Sequence, residues 1–205
     1  MELEELKSAW AQYDKKLTQN LKLNEELLRK MNLERSKKEM NAPLNYEIIS
    51  ITTGIIFLTF IASATIRYSN ELKFLFPGII TSIIVAIWVY NSVSKIKLLS
   101  NIDYYDSPIV ELQKSINTFK LKYQKSKKFE LYSFPAFAIA AMPILGIALR
   151  NFDIYEHPMR FIVGIVLALL LGYTGQIWLY KNLYEKKISN TTKFLDELNK
   201  FEQEE

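Results

Sequence analysis

FIVGIVLALLLGYTGQIWLY, residues Phe161–Tyr180, runs for twenty positions without an acidic or basic side chain. A helix of that length, at 1.5 Å per residue, crosses a hydrocarbon core of roughly 30 Å. Three more stretches read the same way: Ile48–Ile66, Phe74–Val93 and Leu131–Leu149, all free of Asp, Glu, Lys and Arg. A water-soluble domain of 24.0 kDa would have to bury all four and would have too little chain left to cover them. The expected fold class is therefore an all-α membrane protein with four transmembrane helices.

The basic residues then give an orientation. Of 26 Lys and Arg, nine precede the first span, eight lie within Lys95–Lys128 and five follow the fourth span. Arg67, Lys73, Arg150 and Arg160 are the four left for the other two connections. By the positive-inside rule, both termini and the central loop are expected on the cytoplasmic side of a bacterial inner (plasma) membrane. The first span follows some 45 residues of charged sequence, and is expected to be a retained signal-anchor rather than a cleavable signal peptide. A pI near 9.0 arises on that basic face, and implies attraction to anionic headgroups rather than direct nucleic-acid binding. With no Cys in the chain, disulfide frameworks, thiolate zinc sites and Cys nucleophiles are excluded.

A weak internal repeat organises what lies between. Span 2 ends in Ile87-Trp88-Val89-Tyr90 and span 4 in Ile177-Trp178-Leu179-Tyr180. Their partners begin in Tyr46-Glu47-Ile48-Ile49-Ser50 and Phe129-Glu130-Leu131-Tyr132-Ser133. Upstream, Glu26-Leu27-Leu28-Arg29-Lys30-Met31-Asn32 resembles Glu111-Leu112-Gln113-Lys114-Ser115-Ile116-Asn117. Each half reads as a cytoplasmic helix followed by a transmembrane hairpin, in a parallel repeat about an axis along the membrane normal. The expected segments are a cytoplasmic amphipathic helix (1–43), hairpin 1 (44–94), a cytoplasmic helical loop (95–129), hairpin 2 (130–181) and a C-terminal cytoplasmic helix (182–205). The outside connections, Tyr68–Lys73 and Arg150–Arg160, are too short to fold as a ligand-binding domain.

The N-terminal segment is the most patterned. Leu3, Leu6, Trp10, Tyr13 and Leu17 follow a 3-4-3-4 spacing that continues through Asn20, Asn24, Leu27 and Met31, with no Gly or Pro before Pro43. That predicts a long helix with a narrow apolar seam, coiled-coil-like, in which the two Asn weaken self-association and fix register. The seam has three readings: packing on the protein's own helices, docking of a soluble partner, or lying on lipid headgroups. In the central loop, Asp103–Pro108 reads as a turn, with Ser107 capping a helix that starts at Pro108. That helix shows Ile109, Leu112, Ile116, Phe119 and Tyr123 at heptad spacing. A third stripe, Tyr184, Ile188, Leu195 and Leu198, is interrupted by Ser189-Asn190-Thr191-Thr192. Three seams on one side of a membrane can cover one another, which makes a cytoplasmic bundle the expected architecture. The candidate partner-binding residues are Leu3, Leu6, Trp10, Tyr13, Leu17, Ile109 and Leu112.

The spans themselves carry little chemistry. Gly164, Ala168 and Gly172 form a small-residue, helix-packing face on span 4. Gln176, near the cytoplasmic interface, is expected to make an interhelical hydrogen bond. Pro143 is expected to kink span 3. The single His157 reads as a surface residue, and one imidazole makes no metal site. No phosphate loop, nucleophile elbow or clustered carboxylate pair in an apolar setting is legible. Neither an enzyme, a cofactor nor a metal is therefore expected.

Leu3-Glu4-Glu5-Leu6-Lys7 with Trp10, then Leu23-Asn24-Glu25-Glu26-Leu27-Leu28, carry a likeness beyond composition. So do Ile102-Asp103-Tyr104-Tyr105 and Pro108-Ile109-Val110-Glu111-Leu112-Gln113-Lys114. With four spans, they resemble a family of small bacterial inner-membrane proteins encoded beside extracytoplasmic-function sigma factors and regarded as anti-sigma factors. The resemblance implies signal transduction and transcription regulation by sequestration: a cytoplasmic helix holds a sigma factor at the membrane until a signal releases it. The chain lacks the His and Cys ligands of zinc-containing anti-sigma factors and the large outer domain of the single-span class. The alternative expectation is a structural or accessory subunit of an envelope membrane complex, a homo-oligomer included, that associates through its cytoplasmic helices.

Overall fold

A computed structural model describes the fold of residues 3–204 and the side-chain surroundings of residues 6–200. Among these residues helix is the only regular secondary structure, joined by short turns. Helix α1 is Leu3–Arg67, α2 is Leu72–Ser100 and α3 is Ile109–Arg150. A short 3-10 turn, Ile154–Glu156, leads to α4, Pro158–Leu179. A π-helical turn, Tyr180–Glu185, then joins α4 to α5, Lys186–Glu204. Four of these helical rods are long and apolar enough to cross a membrane.

Helix α1 is continuous for 65 residues, and passes through the expected segment boundary at Pro43 without a break. A helix-interior proline forfeits one backbone hydrogen bond. Pro43 offsets this by packing: it lies buried in the register Leu33, Ser36, Met40, Pro43, Glu47. This is a 3-4-3-4 face distinct from the Leu3–Leu17 seam, and two of its five positions are polar. Its Leu33 and Met40 enter a core shared with α2, α3 and α5.

Helix α3 starts one residue later than the sequence suggests. Pro108 is its N-cap residue, with extended ψ of 150°, and Ser107 makes no cap. The preceding turn is held instead by Asp103, whose carboxylate accepts from the backbone N–H groups of Tyr105 and Asp106 at 3.1 and 3.2 Å. Those two bonds hold the Asp103 carboxyl below the usual carboxylate range. At its other end α3 stops at Asn151, the one non-glycine with positive φ (47°) among the described residues. Asn tolerates that left-handed cap, and its N–H returns to the carbonyl of Ile147 at 3.0 Å.

Two cores result. The larger joins Leu33 and Met40 of α1, Leu99 of α2, Ile109, Leu112, Ile116, Phe119 and Tyr123 of α3, and Tyr184, Ile188, Leu195 and Leu198 beyond α4. The expected interruption at Ser189–Thr192 is absent: α5 is unbroken, and Thr191 sits fully buried within the stripe. The smaller core, Ile61, Ala64, Phe74 and Ile144, lies near the two short connections. There Lys73 pairs with Asp153, Tyr155 donates to the Lys73 carbonyl at 3.1 Å, and Tyr68 donates to Asn151 at 3.2 Å. In the apolar region α1 packs on α2, α2 on α3 and α3 on α4. No residue of α4 itself is buried.

Candidate functional sites

The first candidate is the free part of α1. Up to Met31 every described side chain is exposed, and from Asn32 the same helix enters the bundle. Leu6 is 49% exposed, Trp10 69%, Tyr13 68% and Leu17 49%, and Leu21, Leu23, Leu27, Leu28 and Met31 are exposed with them. Among the described residues nothing covers this seam, and these side chains do not pack on the bundle. Leu3 belongs to the helix, but its side chain lies outside the described residues. Ile109 and Leu112, grouped with the seam as partner contacts, do not lie on it: both are 1% exposed, in the shared core. The heptad spacing that selected them is a packing signature.

The second candidate was missed by sequence reading. Where the helices enter the larger core, Lys95 of α2 meets Glu47 of α1 at 2.6 Å and Glu130 of α3 at 3.4 Å. Glu47 is fully buried and Lys95 is 2% exposed. Tyr184 donates its hydroxyl to Glu47 Oε1, and Tyr180 donates to Glu130 Oε2. Both tyrosines sit on the π-helical turn, an insertion that is rare in helices and frequent at functional sites. Tyr123 stacks on Tyr184 with ring centres 4.6 Å apart, and Lys95 lies over the Tyr184 ring. Burial, reinforced by Glu130 and Glu47, pushes the Tyr46 hydroxyl up to about 12. The Tyr184 hydroxyl is raised by the same kinds of neighbour, burial first. These tyrosines remain protonated donors at physiological pH.

Two carboxylates therefore share one buried ammonium where the helices meet. This corrects the expectation that no carboxylate pair clusters in an apolar setting. Glu47 and Glu130 hold the same place in the two repeat units, so the repeat carried the signal. Lys95 and Glu130 are 35 residues apart, however, and each reads as an interfacial anchor when taken alone. A cavity of about 170 Å³ adjoins the junction, lined by Trp88, Lys95, Glu130, Gln176 and Tyr180 among others. Trp88 is not free to serve it, since its Nε1 donates to Ser133 at 2.9 Å. Gln176 Oε1 is buried without a hydrogen-bond partner, so the expected interhelical bond is not made through that oxygen. Among the described residues no group of His, Asp and Glu is arranged to hold a metal ion.

The small residues of span 4 face α3. A Cβ on Gly172 would lie 2.0 Å from the Phe134 ring, and one on Gly164 would lie 3.1 Å from Met142 Cε. Ala168 is half-buried between them, while a Cβ on Gly175 would meet nothing within 4 Å. His157 is exposed and stacks on Phe152 at 4.9 Å.

The chain matches no family model, no curated protein and no solved structure.

Proposed function

We propose that this is a membrane-anchored regulatory protein whose helical arm, residues 3–31, holds a soluble protein at the cytoplasmic face of a bacterial inner membrane. In this reading the four spans form two hairpins, and both termini and residues 95–129 lie in the cytoplasm. The carrying observation is the change along α1. Its apolar residues continue on both sides of Asn32, yet only those beyond it are covered. A seam of Leu6, Trp10, Tyr13 and Leu17 held clear of the bundle has the i, i+3, i+4 spacing of anchors that enter a groove on a partner. The resemblance noted above names the partner class as a sigma factor, and the reading is an anti-sigma factor.

Trp10 offers the largest apolar area on the seam. Trp10→Ala should weaken partner binding by about 2–4 kcal/mol, roughly thirty- to a thousand-fold. In a cell the same change, or deletion of residues 2–20, should turn on the genes of the neighbouring sigma factor while the protein stays membrane-inserted. Unchanged transcription with a smaller assembled complex would instead support the accessory-subunit reading, in which the seam joins copies or a second membrane protein. If neither changes, the arm has no docking role.

A further inference from the structure

Between α3 and α5, where the third apolar stretch begins at Leu131, lies a cleft of about 580 Å³. Lys120, Lys127 and Lys128 of α3 and Lys193 of α5 line it, with Glu185 as their one acidic companion. Glu185 is already paired, to Lys127 at 2.6 Å. The remaining three ammonium groups have no carboxylate among the lining side chains.

Tyr123 also lines this cleft. It is 2% exposed, and its hydroxyl is buried without a hydrogen-bond partner. Its ring cannot turn aside cheaply, because it stacks on Tyr184 with an interplanar angle of 8°. Burial, with Glu185 and Glu130 near it, raises the hydroxyl's pKa and keeps it a proton donor. A buried donor left unsatisfied costs free energy that an acceptor would recover. The cleft thus combines excess positive charge, a spare donor and room for a polar group. It sits one helical turn from the start of an apolar span, which is the depth of lipid headgroups.

We propose that this cleft binds a phosphate group, held by Lys120, Lys128 and Lys193 and approached by the Tyr123 hydroxyl. Lysines act here as point charges on an anion with several acceptor oxygens. Two sources offer that chemistry: the headgroup of an anionic phospholipid and a soluble phosphate. The site is independent of the arm and of whatever the arm binds.

The test uses the full chain in neutral detergent, with binding read by native mass spectrometry. The probes are dioleoylphosphatidylglycerol, dioleoylphosphatidylcholine and inorganic phosphate. The wild type should hold the anionic lipid about thirtyfold more tightly than the zwitterionic one, and Lys128→Gln/Lys193→Gln should erase most of that preference. Tyr123→Phe, which keeps the stack and removes the unsatisfied donor, should lower affinity about five- to tenfold while the melting temperature of the unliganded protein holds or rises. Lys181→Gln/Lys186→Gln removes the same charge from exposed positions outside the cleft and should change affinity less than about twofold. Displacement of the lipid by millimolar inorganic phosphate would assign the soluble source, and resistance to it the lipid. Equal losses in the two double variants would reduce the effect to diffuse surface charge and overturn the site. So would the absence of both a lipid preference and phosphate binding.

Discussion

At Lys95 one ammonium faces the carboxylates of Glu47 and Glu130, at 2.6 and 3.4 Å, with Lys95 and Glu47 themselves buried. Such a cluster is costly to assemble and costlier to break, because removing one member strands the others. Lys95→Met should therefore destabilise the protein by about 3–5 kcal/mol, read as a lowered unfolding temperature in detergent. Tyr184→Phe keeps the ring stack and removes one donor to Glu47, for about 1–3 kcal/mol. If Lys95→Met were the milder of the two, the ammonium would not be what holds the junction together. The exposed pair Lys73–Asp153 makes a pH prediction. Its hydrogen bond holds Asp153 below the ordinary range, and raises Lys73 with help from Glu71. A lowered acid contributes stability above its unfolded pKa and loses it as pH falls through the folded one; a raised base loses its share as pH rises. The stability difference between wild type and Asp153→Asn should thus be flat near neutrality and begin to shrink below about pH 4. Urea titrations at several pH values check this.

Among the elements, the apolar spans and the stripes Ile109–Tyr123 and Tyr184–Leu198 were legible because their period and polarity agree. The inner face of α1 was not. Its register, Leu33, Ser36, Met40, Pro43, Glu47, is polar at two of five positions, so apolar periodicity pointed to the neighbouring seam instead. The ionic junction was hidden for a related reason: a charge two residues from an apolar run looks like an anchor until the fold supplies its partner. Close helix contacts were visible only as glycines, and the structure separates tight from open positions. A methyl on Gly172 collides with the buried Phe134 ring, whereas one on Gly175 meets open space. Gly172→Ala should therefore cost about 1–3 kcal/mol through overpacking, and Gly175→Ala should be neutral or slightly stabilising. Thermal unfolding of the two single variants, compared side by side, tests the α3–α4 interface. Equal effects would mean that α4 does not rest on Phe134.

For the whole molecule, orientation governs every functional reading. Cysteines introduced at Ser69 and Asp153 should react with a membrane-impermeant thiol reagent in intact spheroplasts, and ones at the exposed Gln19 and Ser115 only after lysis. Labelling of the latter pair before lysis would place the arm outside the cell and remove the cytoplasmic partner. The larger core gathers at the end of the spans that carries the arm, while α4 contributes no buried residue. The molecule is thus gripped firmly at one level and loosely below it. Helix α1 runs unbroken through that grip, from the apolar slab to the tip of the arm. A rigid rod clamped near its middle is a lever. Its free portion is roughly 40 Å long, so a ten-degree change in the tilt of its buried portion sweeps the tip through about 7 Å. Transmembrane helices change tilt when bilayer thickness changes. Where the bilayer sets the tilt of α1, its thickness would be geared, through one helix, to the place where Trp10 is presented.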